Sequence, residues 1–131
     1  MLQERKKDYL QRLIEEFFKK LEELVNGSRK MDDSERKSLL NDGFRFFFDN
    51  FDISKGDDVT AIAEKINNNE FLEQYAKLLS IKYDLTGLKD KEELQKALAI
   101  IEYIQKTEST YSWERTILRE DILRQLDEKE Q

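Results

Sequence analysis

The chain has 131 residues, 40% of them charged, a net charge of −6, and no Pro, Cys or His with only four Gly. Average usage would supply about 6 Pro and about 9 Gly at this length. The absences exclude disulfides, thiolate nucleophiles, Cys- or His-held metals and the usual proton shuttle, and with them most familiar catalytic constellations.

The chain length fits one domain, residues 1–131, large enough to close a core without disulfide or metal. Its eight Phe, five Tyr and one Trp are too much aromatic surface to leave in water, and they recur at helical spacing. From Leu2 to Val25 the residues Leu10, Leu13, Ile14, Phe17, Phe18, Leu21, Leu24 and Val25 form the apolar face of an amphipathic helix, stopped at Asn26-Gly27. Within it Leu10, Ile14, Phe17, Leu21 and Leu24 alternate four and three, as in a coiled-coil seam of two heptads. That is too short to require a coiled coil, and packing within the domain is the expectation. Glu15 with Lys19 and Glu16 with Lys20 stand at i, i+4.

A link from Ser28 to Met31 leads to a second helix, capped by Asp32 or Asp33 with Glu35 in capping-box spacing, and running to about Asn50. Leu40, Phe44, Phe47, Phe48 and Phe51 make its stripe, Phe46 falls outside it, and Gly43 sits inside the helix, predicting a close approach or a bend. After a loop from Asp52 to Gly56, Asp57 or Asp58 caps a short helix with Val59, Ile62, Ala63 and Ile66 inward, ending in Asn67-Asn68-Asn69. A fourth helix spans about Glu70 to Leu85, with Phe71, Leu72, Tyr75, Ala76, Leu78, Leu79 and Tyr83 inward and Thr86-Gly87 as its stop. Asp90 and Glu93 open a fifth with the stripe Leu94, Ala97, Leu98, Ile101 and Ile104. The last begins near Ser109 to Ser112, carries Trp113, Ile117, Leu118, Ile122 and Leu126, and fades over 127–131. The whole reads as all-α, five or six antiparallel helices, with an N-terminal helical hairpin over 1–56 and a further helical part over 57–131.

Asp49, Asn50, Asp52, Ser54, Asp57 and Asp58 crowd oxygen ligands together, yet with Asn50, Asp52 and Ser54 at positions one, three and five of a calcium loop, Lys55 replaces the Gly at six and Ala61 the Glu at twelve. Helix capping is the simpler role for these residues, and no metal or other cofactor is expected. Adjacent carboxylates such as Glu15 and Glu16, Glu22 and Glu23, or Glu92 and Glu93 point about 100° apart on a helix and do not converge on a substrate. The four Gly are too dispersed for a phosphate loop. Catalytic residues are therefore not assigned.

Arg5-Lys6-Lys7, Arg29-Lys30, Arg36-Lys37 and Arg45 make a basic tendency that Glu4, Asp8, Asp32, Asp33 and Glu35 dilute, so nucleic acid is not an expected partner. No stretch has the run of apolar residues a membrane span needs, and Met1 to Asp8 lacks the apolar core of a signal peptide, which predicts the cytoplasm and no membrane partner.

Tyr75-Ala76, Leu79, Tyr83, a turn at Gly87 and Gln95-Lys96-Ala97-Leu98 resemble one tetratricopeptide hairpin, with the final helix as its packing cap. The resemblance runs from Leu72 to Leu126 and departs from the consensus in the placement of Gly87, the missing closing Pro and the absence of a second copy. Taken whole, the chain is similar to small uncharacterised bacterial all-helical proteins with a long amphipathic first helix and a tetratricopeptide-like C-terminal half. That resemblance implies a helical fold and protein binding. The expected function is accordingly non-catalytic protein–protein interaction, as an adaptor or by self-association. Phe18, Phe46, Tyr103, Tyr111 and Trp113, off or at the edges of the stripes, are the candidate interaction surface. Two alternatives are a small-molecule or enzymatic pocket lined by Phe44, Phe47, Tyr75 and Tyr83, and a nucleic-acid accessory role.

Overall fold

The computed structural model describes residues 4–26, 32–86 and 90–127, which form six helices and no strand. These are α1 (Glu4–Asn26), α2 (Asp33–Phe51), α3 (Val59–Ile66), α4 (Asn69–Leu85), α5 (Lys91–Thr107) and α6 (Trp113–Asp127). The chain divides into two compact units, Met1–Asp52 with α1 and α2, and Ile53–Gln131 with α3 to α6. The division falls just ahead of the 56/57 boundary read from the sequence. No described helix is long and apolar enough to cross a membrane. The stops expected at Gly27 and Gly87 and the link from Ser28 to Met31 lie outside the described residues.

Aspartate and asparagine set the helix ends. Asp32 accepts the Glu35 N–H at 2.8 Å, Asp58 that of Ala61 at 2.8 Å, and Asp90 those of Glu92 and Glu93 at 3.0 and 3.4 Å. Asn68 does the same for Phe71 at 3.0 Å, a cap the sequence reading placed only as part of an asparagine run. Each such bond satisfies an N–H that has no partner inside its helix and is worth about 1 kcal/mol. Two helices end on residues in the left-handed region that are not glycine. Asp52 (φ 57°) returns its N–H to Phe48 and Asn67 (φ 47°) returns its own to Ala63. In a chain so poor in Gly, Asp and Asn take the C-terminal role because their short polar side chains tolerate that conformation best.

The first unit is built on apolar stripes. Among the described side chains of α1 the buried ones are Leu10, Ile14, Phe18 and Leu21, so the buried face is turned slightly from the expected seam; Leu24 and Val25 of that expected face lie outside the described side chains. Phe18 is only 6% exposed, which removes it from the candidate interaction surface. Phe17 takes the edge position instead, its ring set edge-on to Phe18 at 5.3 Å. Glu15 accepts a hydrogen bond from Gln11 at 2.9 Å. In α2 the buried row is Leu39, Gly43, Phe47 and Phe51, at steps of four, with Leu40 beside it. Gly43 is thus a core-face residue, where a side chain would stand in the row. Phe44 is half-buried and Phe48 is 40% exposed, a correction to the expected stripe. The two rings lie 6.3 Å apart along the helix edge.

The second unit is an up–down–up arrangement fixed by polar contacts at both ends. Lys82 near the end of α4 pairs with Glu93 near the start of α5 at 2.6 Å, and Asn69 at the start of α4 reaches Thr107 at the end of α5, so α4 and α5 are antiparallel. Arg115 early in α6 pairs with Glu73 early in α4, and Gln125 late in α6 bonds Ser80 and Asp84 late in α4, so α6 runs parallel to α4. The core between them holds Phe71, Leu72, Tyr75, Ala76, Leu78, Leu79 and Tyr83 of α4, and Leu94, Ala97, Ile100, Ile101 and Ile104 of α5, while Leu98 is half-buried. α3 adds Ile62, Ala63 and Ile66 against α4 and α5. Burying each large side chain contributes roughly 2 kcal/mol. Burial, with the nearby charges of Glu93 and Asp57, pushes the Tyr75 phenol up to about 12.

The aspartates of the α2–α3 loop act structurally. Asp57 accepts from the Ser54 N–H at 2.9 Å and from Lys65 at 2.8 Å, tying the loop to α3. Those bonds hold its carboxyl below the usual carboxylate range. Gly56 between them faces open space, with nothing within 4 Å of where a Cβ would stand.

Candidate functional site

Of the five aromatic residues singled out by the sequence, three are exposed, and all three belong to the α5–α6 hairpin. Tyr103 in α5 is 40% exposed, Tyr111 in the turn 69%, and Trp113 at the first position of α6 66%. Ile117, one helical turn after Trp113 on the same face, is 40% exposed as well. The other two lie in the first unit. Phe18 is buried, and Phe46 is half-buried with its ring edge-on to Phe47 at 5.1 Å and near Phe51 at 6.2 Å, so it belongs to an aromatic packing cluster.

Trp113 and Ile117 are both exposed, and the reason lies in α6 itself. The helix buries Ile122 together with two polar residues, Arg115 at 6% and Gln125 at 4% exposure, while Leu118 and Leu126 are only half-buried. Residues 115, 122 and 125 share one helical face, and Trp113 and Ile117 are rotated off it. Six hydrogen bonds made by the side chains of Arg115 and Gln125 explain why polar residues hold that face. The Arg115 guanidinium donates from Nη1 and Nη2 to Glu108 Oε2, both at 2.8 Å, and from Nε to Glu73 Oε1 at 3.1 Å. Gln125 donates from Nε2 to Asp84 at 2.7 Å and to the Ser80 carbonyl at 3.3 Å, while its Oε1 accepts from the Ser80 hydroxyl at 2.9 Å. A buried polar group is tolerated when its hydrogen bonds are made, and these are.

Arg115 clamps the turn to α4. It grips Glu108, the residue that ends α5, and Glu73 on the neighbouring helix, which fixes the segment carrying Tyr111. Burial raises the Glu73 carboxyl above the usual range, outweighing the attraction of Arg115. Hydroxyls tie down both flanks of the turn. Thr107 donates to the carbonyls of Tyr103 and Ile104 at 3.1 and 3.2 Å, Ser112 accepts the Arg115 N–H at 3.2 Å, and Thr116 donates to the Ser112 carbonyl at 3.0 Å.

Between these flanks lies an open depression of about 260 Å³, lined by Gln105, Glu108, Ser109, Tyr111, Ser112 and Thr116 among others. Its walls offer hydroxyl and amide donors and acceptors, and the guanidinium of Arg115, which also lines it, is already held by two carboxylates. Such a lining suits hydrogen bonding to polar groups of a partner, next to aromatic faces that can cover apolar ones.

The residues of the alternative pocket are placed differently. Phe47, Tyr75 and Tyr83 are buried and Phe44 is half-buried, with the phenylalanines in the first unit and the tyrosines in the second. Among the described residues no three Asp or Glu side chains gather as they would around a metal ion. The functional residues that sequence reasoning missed are Arg115, Glu73 and Glu108, because an Arg in a helix with mixed polarity carries no sign of burial. No family model, curated protein or solved structure matches this chain.

Proposed function

We propose that the chain is a non-catalytic protein-interaction domain of the cytoplasm, and that the exposed end of the α5–α6 hairpin is its docking face. The observation that carries this reading is the exposure of Tyr111 and Trp113, at 69% and 66%, on a turn that Arg115 ties to Glu108 and to Glu73 of α4. Aromatic side chains are costly to leave in water and are enriched where partners bind, because they bury large area with little loss of conformational freedom. The hydrogen-bonding depression beside them supplies directional contacts at the rim, which set specificity more than strength.

The test is comparative capture. The full chain and its Tyr111→Ala/Trp113→Ala variant are each immobilised in extracts of the native cell, with unchanged far-ultraviolet circular dichroism verifying the fold of the variant. A protein retained by the parent chain at stoichiometric level and lost at least about tenfold in the variant supports the docking face, since aromatic hot spots cost about 2 kcal/mol or more on truncation. Equal retention by both chains rejects it.

A further inference from the structure

A second surface, independent of the hairpin, lies on α1. Tyr9, Leu13 and Phe17 follow one another at steps of four, Tyr9 59% and Leu13 37% exposed and Phe17 half-buried, forming an apolar ridge beside the buried stripe. At 1.5 Å per residue the ridge is about 12 Å long. Lys6 and Lys20 bound its ends.

Along the side of the ridge away from the buried stripe stand Arg5, Arg12, Glu16 and Glu23. At 100° per residue the four fall within about 40° of one another around the helix. All are exposed, and none makes an ion pair among the described residues. Their order is basic first and acidic last, against the helix dipole, which favours acids at the N-terminus and bases at the C-terminus. Local helix stability therefore does not account for them. Their spacing is palindromic, since Arg5 and Glu23 are equidistant from position 14, as are Arg12 and Glu16. A two-fold axis across α1 near Ile14 sets Arg5 of one copy opposite Glu23 of the other and Arg12 opposite Glu16, and lays the two ridges against each other.

We infer that α1 is a self-association face and that its occupant is a second copy of this chain, packed antiparallel through α1. Within this row the charges complement their own inverse, as an isologous two-fold contact requires, whereas a parallel pairing would place Arg against Arg and Glu against Glu; Lys6 and Lys20 at the ridge ends come beside each other's copies across the axis and oppose the contact, which keeps it weak. The ridge is short, so the contact belongs to the small, transient class and the dimer is concentration-dependent.

Sedimentation equilibrium over a wide concentration range tests this. The parent chain shows a monomer–dimer equilibrium that weakens with added salt. Each one-sided reversal, R5E/R12E or E16R/E23R, makes the row of four a single sign and self-associates at least about tenfold more weakly, because like charges of that row then meet across the axis. Mixing the two variants restores a dimer containing one of each, and the combined R5E/R12E/E16R/E23R chain dimerises again by itself. Far-ultraviolet circular dichroism checks that each variant remains helical, and the four sites are exposed. A parent chain that is monomeric at every concentration overturns the inference, as does undiminished association of either one-sided variant or failure of the mixture to associate. Y111A/W113A dimerises like the parent, which separates this face from the docking hairpin.

Discussion

In the first unit, α1 and α2 bury Leu10, Ile14, Phe18, Leu21, Leu39, Leu40, Phe47 and Phe51 on continuous apolar faces, whereas in the second unit α6 is held to α4 by Arg115 and Gln125, with Ile122 between them. The contrast matters because the two chemistries leave different surfaces behind. An apolar stripe is non-directional, so leftover hydrophobic residues stay at its edges, as Tyr9, Leu13 and Phe48 do. Polar anchors are directional. They fix the rotation of α6 about its axis and turn Trp113 and Ile117 outward, into a position that a hydrophobic stripe would have reversed.

The sharpest way to break this comparison is to remove one member of each kind. Phe47 is fully buried in the α2 row, and Phe47→Ala leaves a cavity where the aromatic cluster with Phe46 and Phe51 stood, at a cost of about 4 kcal/mol measured by chemical denaturation of the full chain. In the second unit, Arg115→Met strands Glu73 and Glu108 and costs about 2 kcal/mol, below the range for fully buried pairs because both carboxylates keep some contact with water. Adding Glu73→Gln and Glu108→Gln to that variant recovers most of the loss, since no buried charge is then left without a partner. A loss from Arg115→Met as large as that from Phe47→Ala would show that Arg115 packs as core rather than anchoring as a polar clamp.

Much of the fold was legible because its signal is periodic. Helix positions follow from apolar spacing, and the Asp32, Asp58 and Asp90 caps follow from the residues preceding each run. The α4 stripe agrees residue by residue with the sequence expectation, with Ser80 added to it. The rotation of α6 was not legible. Its buried face is carried by Arg115 and Gln125, whose roles depend on Glu73, Glu108, Ser80 and Asp84, all distant or turn residues that no local pattern connects. In α1 the error was smaller, a shift from Phe17 to Phe18, because consecutive aromatic residues satisfy a helical stripe equally well until the neighbouring helix selects one. Three of the candidate surface residues were found by being off the stripe, but the depression beside them depends on tertiary contacts alone.

Charge regulation separates the polar contacts further. Asp57 lies below its ordinary 3.8 through Lys65 and the Ser54 N–H, so its contribution to stability is complete above that value and is lost as pH falls through the lowered pKa. Glu73 lies above its ordinary 4.5, so ionising it opposes folding, and that penalty is relieved as pH falls below its raised pKa. Carboxyl titration by nuclear magnetic resonance is expected to show Glu73 protonating before Asp57 as the pH falls. The opposite order would remove the argument that burial outweighs Arg115 at Glu73.

The smallest expected effect is at Gly56. It has open space around it and no positive φ, so Gly56→Ala restricts the unfolded chain without strain and raises stability by about 0.5 kcal/mol, read as a small rise in the denaturation midpoint. A loss instead would show that the loop needs conformations only glycine reaches.

Trp113 is the sole tryptophan, so its fluorescence reports the α5–α6 hairpin without labelling. The decisive measurement is acrylamide quenching of that emission in the isolated chain and again with the captured partner bound. An exposed Trp113 is quenched freely alone and protected at least several-fold in the complex, as burial of an interface aromatic requires. Quenching that is already weak in the isolated chain, or equally strong in the complex, contradicts a docking face at this hairpin.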